Sequence, residues 1–362
     1  MIINFLIIIQ GFMKNKENLI SFWRVIFTYT IMLLHLFNQY SHGTGWRIGV
    51  EFFFVVGGWL LAADLDKKNR EPYEYTWHRI KRIYPEYISA FIVATICLFI
   101  FKKYDFTAAV KWIGQIGWKE ALIIHYWPWD DGTFANGFDW YISVMLLAGL
   151  LLYSLLKRIP KLTYEVIIPV IGICFLTYSY RTVGGLTGGD CVEGFLYHCR
   201  FLRGFTEMGI GILLYGLNKK YAVFFQNNLV RIMGFVLLIF EVAASYHFSG
   251  WADYLYLLII AIGVIISFNT PLFFGKKIIA YFDKLSFSMY LNHLIFRTYF
   301  MPYFFDALSI KMVIIYVISV TIFAVFMHYL TLILATQVAK IIKYIFKRQI
   351  VEFERCDKPE GV

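Results

Sequence analysis

"RVIFTYTIMLLHLF", residues 24–37, is an apolar run with an arginine at its head and a histidine near its tail. Extended to 22–40, it reaches the roughly 20 residues that an α-helix needs to cross a hydrocarbon core. Similar runs recur along the 362-residue chain, which is 59% hydrophobic and only 16% charged. Soluble domains lie nearer about 45–50% apolar. The composition therefore predicts an all-α, polytopic integral membrane bundle with no room for a sizeable soluble domain between its spans.

The apolar runs place about ten transmembrane helices. They fall at 22–40, 48–64, 84–101, 139–156, 164–180, 204–218, 229–247, 253–270, 285–303 and 310–338. The stretch 104–138 is ambiguous, because Lys111, Lys119 and Glu120 interrupt its apolar residues. Charge placement decides it. If 104–138 does not cross, the basic clusters at Lys14/Lys16/Arg24, Lys67–Arg82, Lys157–Lys161, Lys219/Lys220, Lys276/Lys277 and Lys340–Arg348 share one side. Lys and Arg concentrate in cytoplasmic loops, so both termini are expected inside (N-in/C-in). The expected organisation is a cytoplasmic segment 1–20, a membrane domain 21–340 with an outer segment 104–138 and an outer loop 181–203, and a cytoplasmic tail 341–362. Residues 1–12 read as an extension ahead of Met13, since Lys14 and Lys16 follow the first apolar run, unlike the charges of a secretory signal. The net charge of +10 is accounted for by the same cytoplasmic bias. No basic stripe with interleaved aromatics lies outside the spans, so nucleic acid is not an expected partner.

Arg24 and His35 stand eleven residues apart. On an α-helix that is about 1100°, three turns plus about 20°, so both share one face about 16 Å apart along the axis. Arg24 then lies at the cytoplasmic interface and His35 well into the membrane. An ionisable group at that depth is costly unless it lines a cavity or finds a partner, which makes it a functional candidate; a histidine satisfied by a neighbouring helix is the plainer reading. Glu51 enters from the outside at a comparable depth. It could fix the tautomer of His35 and stabilise its cation, or pair with Arg47. In "YEYTWHRIKRIYPEY", residues 73–87, Arg79 and Arg82 share a helix face. Two planar guanidiniums suit phosphate; cytoplasmic anchoring is the alternative.

These segments resemble the acyltransferase 3 family of membrane acyltransferases. The resemblance rests on the Arg–ten residues–His pattern of "RVIFTYTIMLLH", on "GVEFFFVVGGWLL" and on the Arg-x-x-Arg followed by Pro in "RIKRIYP". "WYIS", "FLRGFTEMGIG" and "LSFSMYLNHLIF" continue it in family order over residues 21 to about 300. It implies a ten-helix enzyme of the cell membrane, in bacteria the cytoplasmic membrane. Such an enzyme moves an acyl group, usually acetyl, from acyl-coenzyme A to a hydroxyl of a cell-envelope or exopolysaccharide glycan outside. His35 would be the catalytic histidine, Arg24 its family partner, and Arg79 and Arg82 the coenzyme A-phosphate residues. Two departures stand out. Gly57-Gly58-Trp59 replaces the family's Ser-Gly-aromatic, which removes a hydroxyl and leaves the glycines a close-packing role. "DWYIS" lacks a Glu that many members carry a few residues after the Trp.

The residues themselves fit acyl transfer. A hydroxyl needs a base to attack a thioester, and a histidine near its ordinary pKa of about 6.5 can take that proton at neutral pH. The expected layout holds the nucleotide end of acetyl- or another acyl-coenzyme A on Arg79 and Arg82, helped by Lys67, Lys68 or Lys81. Its arm would reach up towards His35, with Glu51 as catalytic partner and Arg24 holding the donor. The acceptor would enter past 125–139 and 181–203. His293 in "YLNHLIF" either lines the same cavity or packs with a hydrogen bond. Arg200, Arg203 and Glu207 form either an acceptor site or an internal salt bridge. Cys191 and Cys199 could form a disulfide. The His, Cys and Asp residues show no metal-ligand spacing, so no metal is expected. A homo-oligomer is left open. A glycan transporter or flippase and a membrane glycan polymerase are the rival readings; release of free coenzyme A when a glycan is supplied separates them from the enzyme.

Overall fold

The computed structural model describes residues 18–40, 45–124, 135, 140–186 and 199–356, with backbone alone at 338–339 and 341–356. Among these residues every regular element is a helix, and the sole β-type pairing is an isolated bridge between Asn18 and Pro271. The long helices are α1 (Ile20–Gln39), α2 (Gly49–Lys68), α3 (Pro72–Phe101), α6 (Trp140–Arg158), α7 (Pro160–Val183), α8 (Cys199–Phe225), α9 (Asn228–His247), α10 (Ala252–Phe268), α11 (Lys276–Ile295) and α12 (Ile310–Cys356). Two short helices, α4 (Phe106–Trp112) and α5 (Trp118–Ala121), lie between α3 and α6.

Seven segments are long and apolar enough to cross a membrane: Ile20–Gln39, Trp46–Lys68, Pro72–Phe101, Trp140–Arg158, Pro160–Val183, Asn228–His247 and Ile310–Gln337. The apolar α10 is shorter, at 17 residues. Helices α8 and α11 have the length, but polar residues such as Arg203, Glu207, Asp283 and His293 lower their hydropathy. The outward faces read as lipid-facing stripes. Ile92, Ile96 and Ile100 of α3 are exposed at helical spacing, as are Ile310, Ile314, Ile318, Ile322 and Phe326 of α12. Apolar stripes of that length would be an aggregation hazard in water.

Among the described residues after α3, α4 and α5 are joined by a π-helical turn, Ile113–Gly117. Both fold back on α3: Trp112 is buried against Phe91 and Phe99, and the Tyr87 hydroxyl donates to the Glu120 carbonyl at 2.7 Å.

Neighbours in the core are fixed by small residues and by register. A Cβ on Gly58 would overlap the Met208 carbonyl, and one on Gly211 the Val55 carbonyl, so α2 and α8 touch backbone to backbone. Close approach through glycine is a common way for membrane helices to pack. Their contacts run in the same order along both helices, from Glu51 with Arg203 to Asp66 with Tyr215 and Lys219, so α2 and α8 are parallel. Helices α1 and α11 are parallel as well, since Arg24 meets Asp283 and His35 meets His293. Helix α12 runs the other way: Ser288 donates to the Ala324 carbonyl, while Tyr316 donates to the carbonyl of His293.

Candidate active site

The α1–α11 pair carries polar groups at two levels. At the first, Arg24 Nη2 donates to Asp283 Oδ2 at 2.7 Å, with both side chains largely buried. Arg82 of α3 is exposed, yet lies within electrostatic reach of Arg24, Arg79, Asp283 and Glu86. Helices α1, α3 and α11 thus bring charged groups together around an exposed guanidinium. Arg79 is half-buried and its Nη1 donates to the Tyr75 hydroxyl at 2.8 Å; Tyr75 in turn stacks on Tyr153 at 4.3 Å. Buried His328 of α12 donates from Nδ1 to Glu86 Oε1 at 2.6 Å. The structure thus gathers Arg24, Arg79 and Arg82, and adds Asp283, Glu86 and His328.

The second level lies about 16 Å up the helices, at 1.5 Å per residue. His35 is half-buried. Its ring stacks on His293 at a centroid distance of 5.3 Å and an interplanar angle of 29°. His293 is fully buried, and its Nδ1 donates to the Tyr290 carbonyl at 2.5 Å. Its Nε2 has no protein partner among the described residues. Arg297, in the π-helical turn Phe296–Phe300 that follows α11, stands close enough to interact with both imidazoles. The one-face reading of Arg24 and His35 thus has a physical counterpart, because both side chains meet α11.

Glu51 corrects the sequence reading. It hydrogen-bonds neither His35 nor Arg47; its partner is Arg203 Nη2, and Arg203 Nε donates to Glu207 Oε1 at 3.0 Å. The three side chains form an enclosed ion network in which Glu51 and Glu207 have no exposure. The reason is helix phase: Glu51 and Gly58 lie two turns apart on the face of α2 that packs on α8. Of the two readings of Arg203 and Glu207, the geometry gives the internal salt bridge. Asp283 and His328 had not been singled out. A signal for Asp283 existed, since it precedes His293 by ten residues much as Arg24 precedes His35 by eleven. His328 had none, because its carboxylate lies 242 residues away.

The stretch 125–134, the stretch 136–139 and the loop 187–198, where the acceptor was expected, lie outside the described residues. So do residues 1–17 and Cys191 of the expected disulfide. A separate apolar groove of about 550 Å³ between α1 and α9 is lined by Trp23, Trp46 and Tyr246 among others. None of the three arginines or the two imidazoles lines it.

The family model of an acyltransferase domain matches residues 18–332. The chain belongs to the acyltransferase 3 family. The match runs from the start of α1 into α12 and includes every residue of the two polar levels. None of the curated proteins and none of the solved structures matches. Membership makes the chain a multi-pass membrane acyltransferase. Chemically, the arginine level could hold an anion and the imidazole level could move a proton.

Proposed function

We propose that the enzyme moves an acyl group, acetyl in the first instance, from cytoplasmic acyl-coenzyme A to a hydroxyl of an extracytoplasmic glycan. The observation that supports this most is the stacking of two functional levels on one helix pair: guanidiniums at one end, a half-buried imidazole about 16 Å above them. The phosphates of the donor rest on Arg82 and Arg79, with Arg24 held ready by Asp283. Bidentate guanidinium–phosphate pairing is strong and directional. The flexible arm of the donor rises between the helices and brings the thioester carbonyl to His35.

His35 acts as general base. The glycan hydroxyl oxygen attacks the thioester carbonyl carbon while the imidazole takes its proton. The oxyanion of the tetrahedral intermediate forms beside Arg297, and positive charge placed there lowers the barrier. Collapse breaks the C–S bond, and the imidazolium returns its proton to the departing sulfur. The products are an ester and a free thiol. Glu51 serves as the anion of the network that sets α2 against α8, one step removed from the base.

We also propose ten crossings with both termini in the cytoplasm: the seven long apolar segments together with α8, α10 and α11. Counted so, α1 and α11 are the first and ninth spans and α2 and α8 the second and sixth, which agrees with the parallel run of each pair.

The test is His35→Ala in purified enzyme supplied with acetyl-coenzyme A and a glycan acceptor. Transfer should be lost while coenzyme A binding stays nearly intact. Near-normal turnover in that variant would remove His35 from the mechanism.

A further inference from the structure

His293 has no part in the steps written above, yet its surroundings are those of a placed side chain. The ring is fully buried and stacked on His35. The ring of Tyr290 tilts against it at 5.9 Å. A carbonyl can only accept, so the bond to Tyr290 puts a hydrogen on Nδ1; a second hydrogen on Nε2 would bury a cation beside that of Arg297, which is costly, so Nε2 is a bare acceptor. The ring is therefore neutral and tied by its edge to the main chain, and it cannot turn without breaking that bond. A phenyl or isobutyl group would fill similar space without burying an unpaired nitrogen.

Aromatic faces attract cations that stand within about 6 Å of the ring centroid. His35 becomes a cation during the reaction, and its centroid lies 5.3 Å away. Arg297, beyond the end of α11, is the cation whose field reaches both rings. Helix α12 presents Tyr316, whose hydroxyl donates to the carbonyls of Met32 and His293. Arg297 opposes a positive charge on His35, so a neutral stacked ring on the same helix supplies the opposite bias.

We propose that His293 is a positioning residue for His35: pinned through Nδ1 to Tyr290, it fixes the plane of the base and stabilises the imidazolium formed when His35 takes the acceptor's proton. The inference rests on His35 being the base. It assigns His293 an effect on turnover and none on donor binding, because the donor's phosphates lie at the other level.

The experiment uses full-length enzyme in detergent with acetyl-coenzyme A and a glycan acceptor. His293→Leu, which removes both the face and the tether, should lower kcat about tenfold. The KM for acetyl-coenzyme A should not change. His293→Phe, which keeps the face and loses the tether, should recover part of that loss. In a His35→Ala background, His293→Leu should have no further effect, as expected of residues acting as one unit. The proposal is overturned if His293→Leu stays within about twofold of the parent kcat. It is also overturned if Phe and Leu are equally poor, or if donor affinity falls together with kcat, which would make His293 a packing residue. The two readings fail differently. Turnover in His35→Ala sinks the base itself, whereas an inactive His35→Ala beside a fully active His293→Leu sinks this inference alone.

Discussion

Arg24 reaches Asp283, and His35 reaches His293, so one face of α1 meets α11 twice. The interval between the two contacts separates phosphate binding from acyl chemistry, and substitutions at the two levels should have different kinetic signatures. Arg79→Ala combined with Arg82→Ala should weaken coenzyme A binding about 100- to 10,000-fold, since hydrogen bonds to charged groups contribute about 1.5–3 kcal/mol each. Isothermal titration with coenzyme A measures this directly. Unchanged affinity would place the nucleotide elsewhere. Turnover at saturating donor should change far less than affinity.

Helix packing makes the glycines of α2 unequal. A Cβ on Gly58 would collide with the backbone of Met208, whereas one on Gly57 would meet only the Met208 methyl at 3.9 Å. Gly57→Ala should therefore fold normally, and Gly58→Leu should yield little monodisperse protein in detergent. Size-exclusion profiles of the two variants make the comparison. The Glu51–Arg203–Glu207 network locks the same pair of helices. Glu51→Ala leaves Arg203 underpaired in a dry interior, which typically costs about 3–5 kcal/mol. A marked drop in Tm should follow; an unchanged Tm would mean that the network adds nothing to the α2–α8 contact. The sequence already placed a glycine pair at the end of the second span and assigned it to close packing. It could not say which glycine touches, because the phase of α2 is set by α8, about 150 residues away. The same ignorance of phase sent Glu51 towards His35 or Arg47.

At the scale of the whole molecule, the membrane does most of the specifying. Apolar length and basic loops were enough to read an all-helical chain with several membrane-crossing segments. The arginines and His35 were legible because their spacing puts them on single helix faces. Asp283 and the Glu86–His328 pair were less so, since each has its meaning in a contact between distant helices. The proposed topology makes its own prediction. Single cysteines introduced at Lys219 and Lys276 should react with impermeant maleimide only from the cytoplasmic side, and labelling from the outside would break the ten-span arrangement.

The central claim is that one imidazole serves a donor below and an acceptor above. It is tested most directly in sealed proteoliposomes of uniform orientation, with radiolabelled acetyl-coenzyme A supplied only at the face bearing Arg82 and a glycan acceptor enclosed on the other side. The account predicts labelled glycan in the opposite compartment, free coenzyme A on the donor side, and neither with His35→Ala. Label confined to acceptor placed on the donor's own side, or label crossing unchanged without His35, would contradict it.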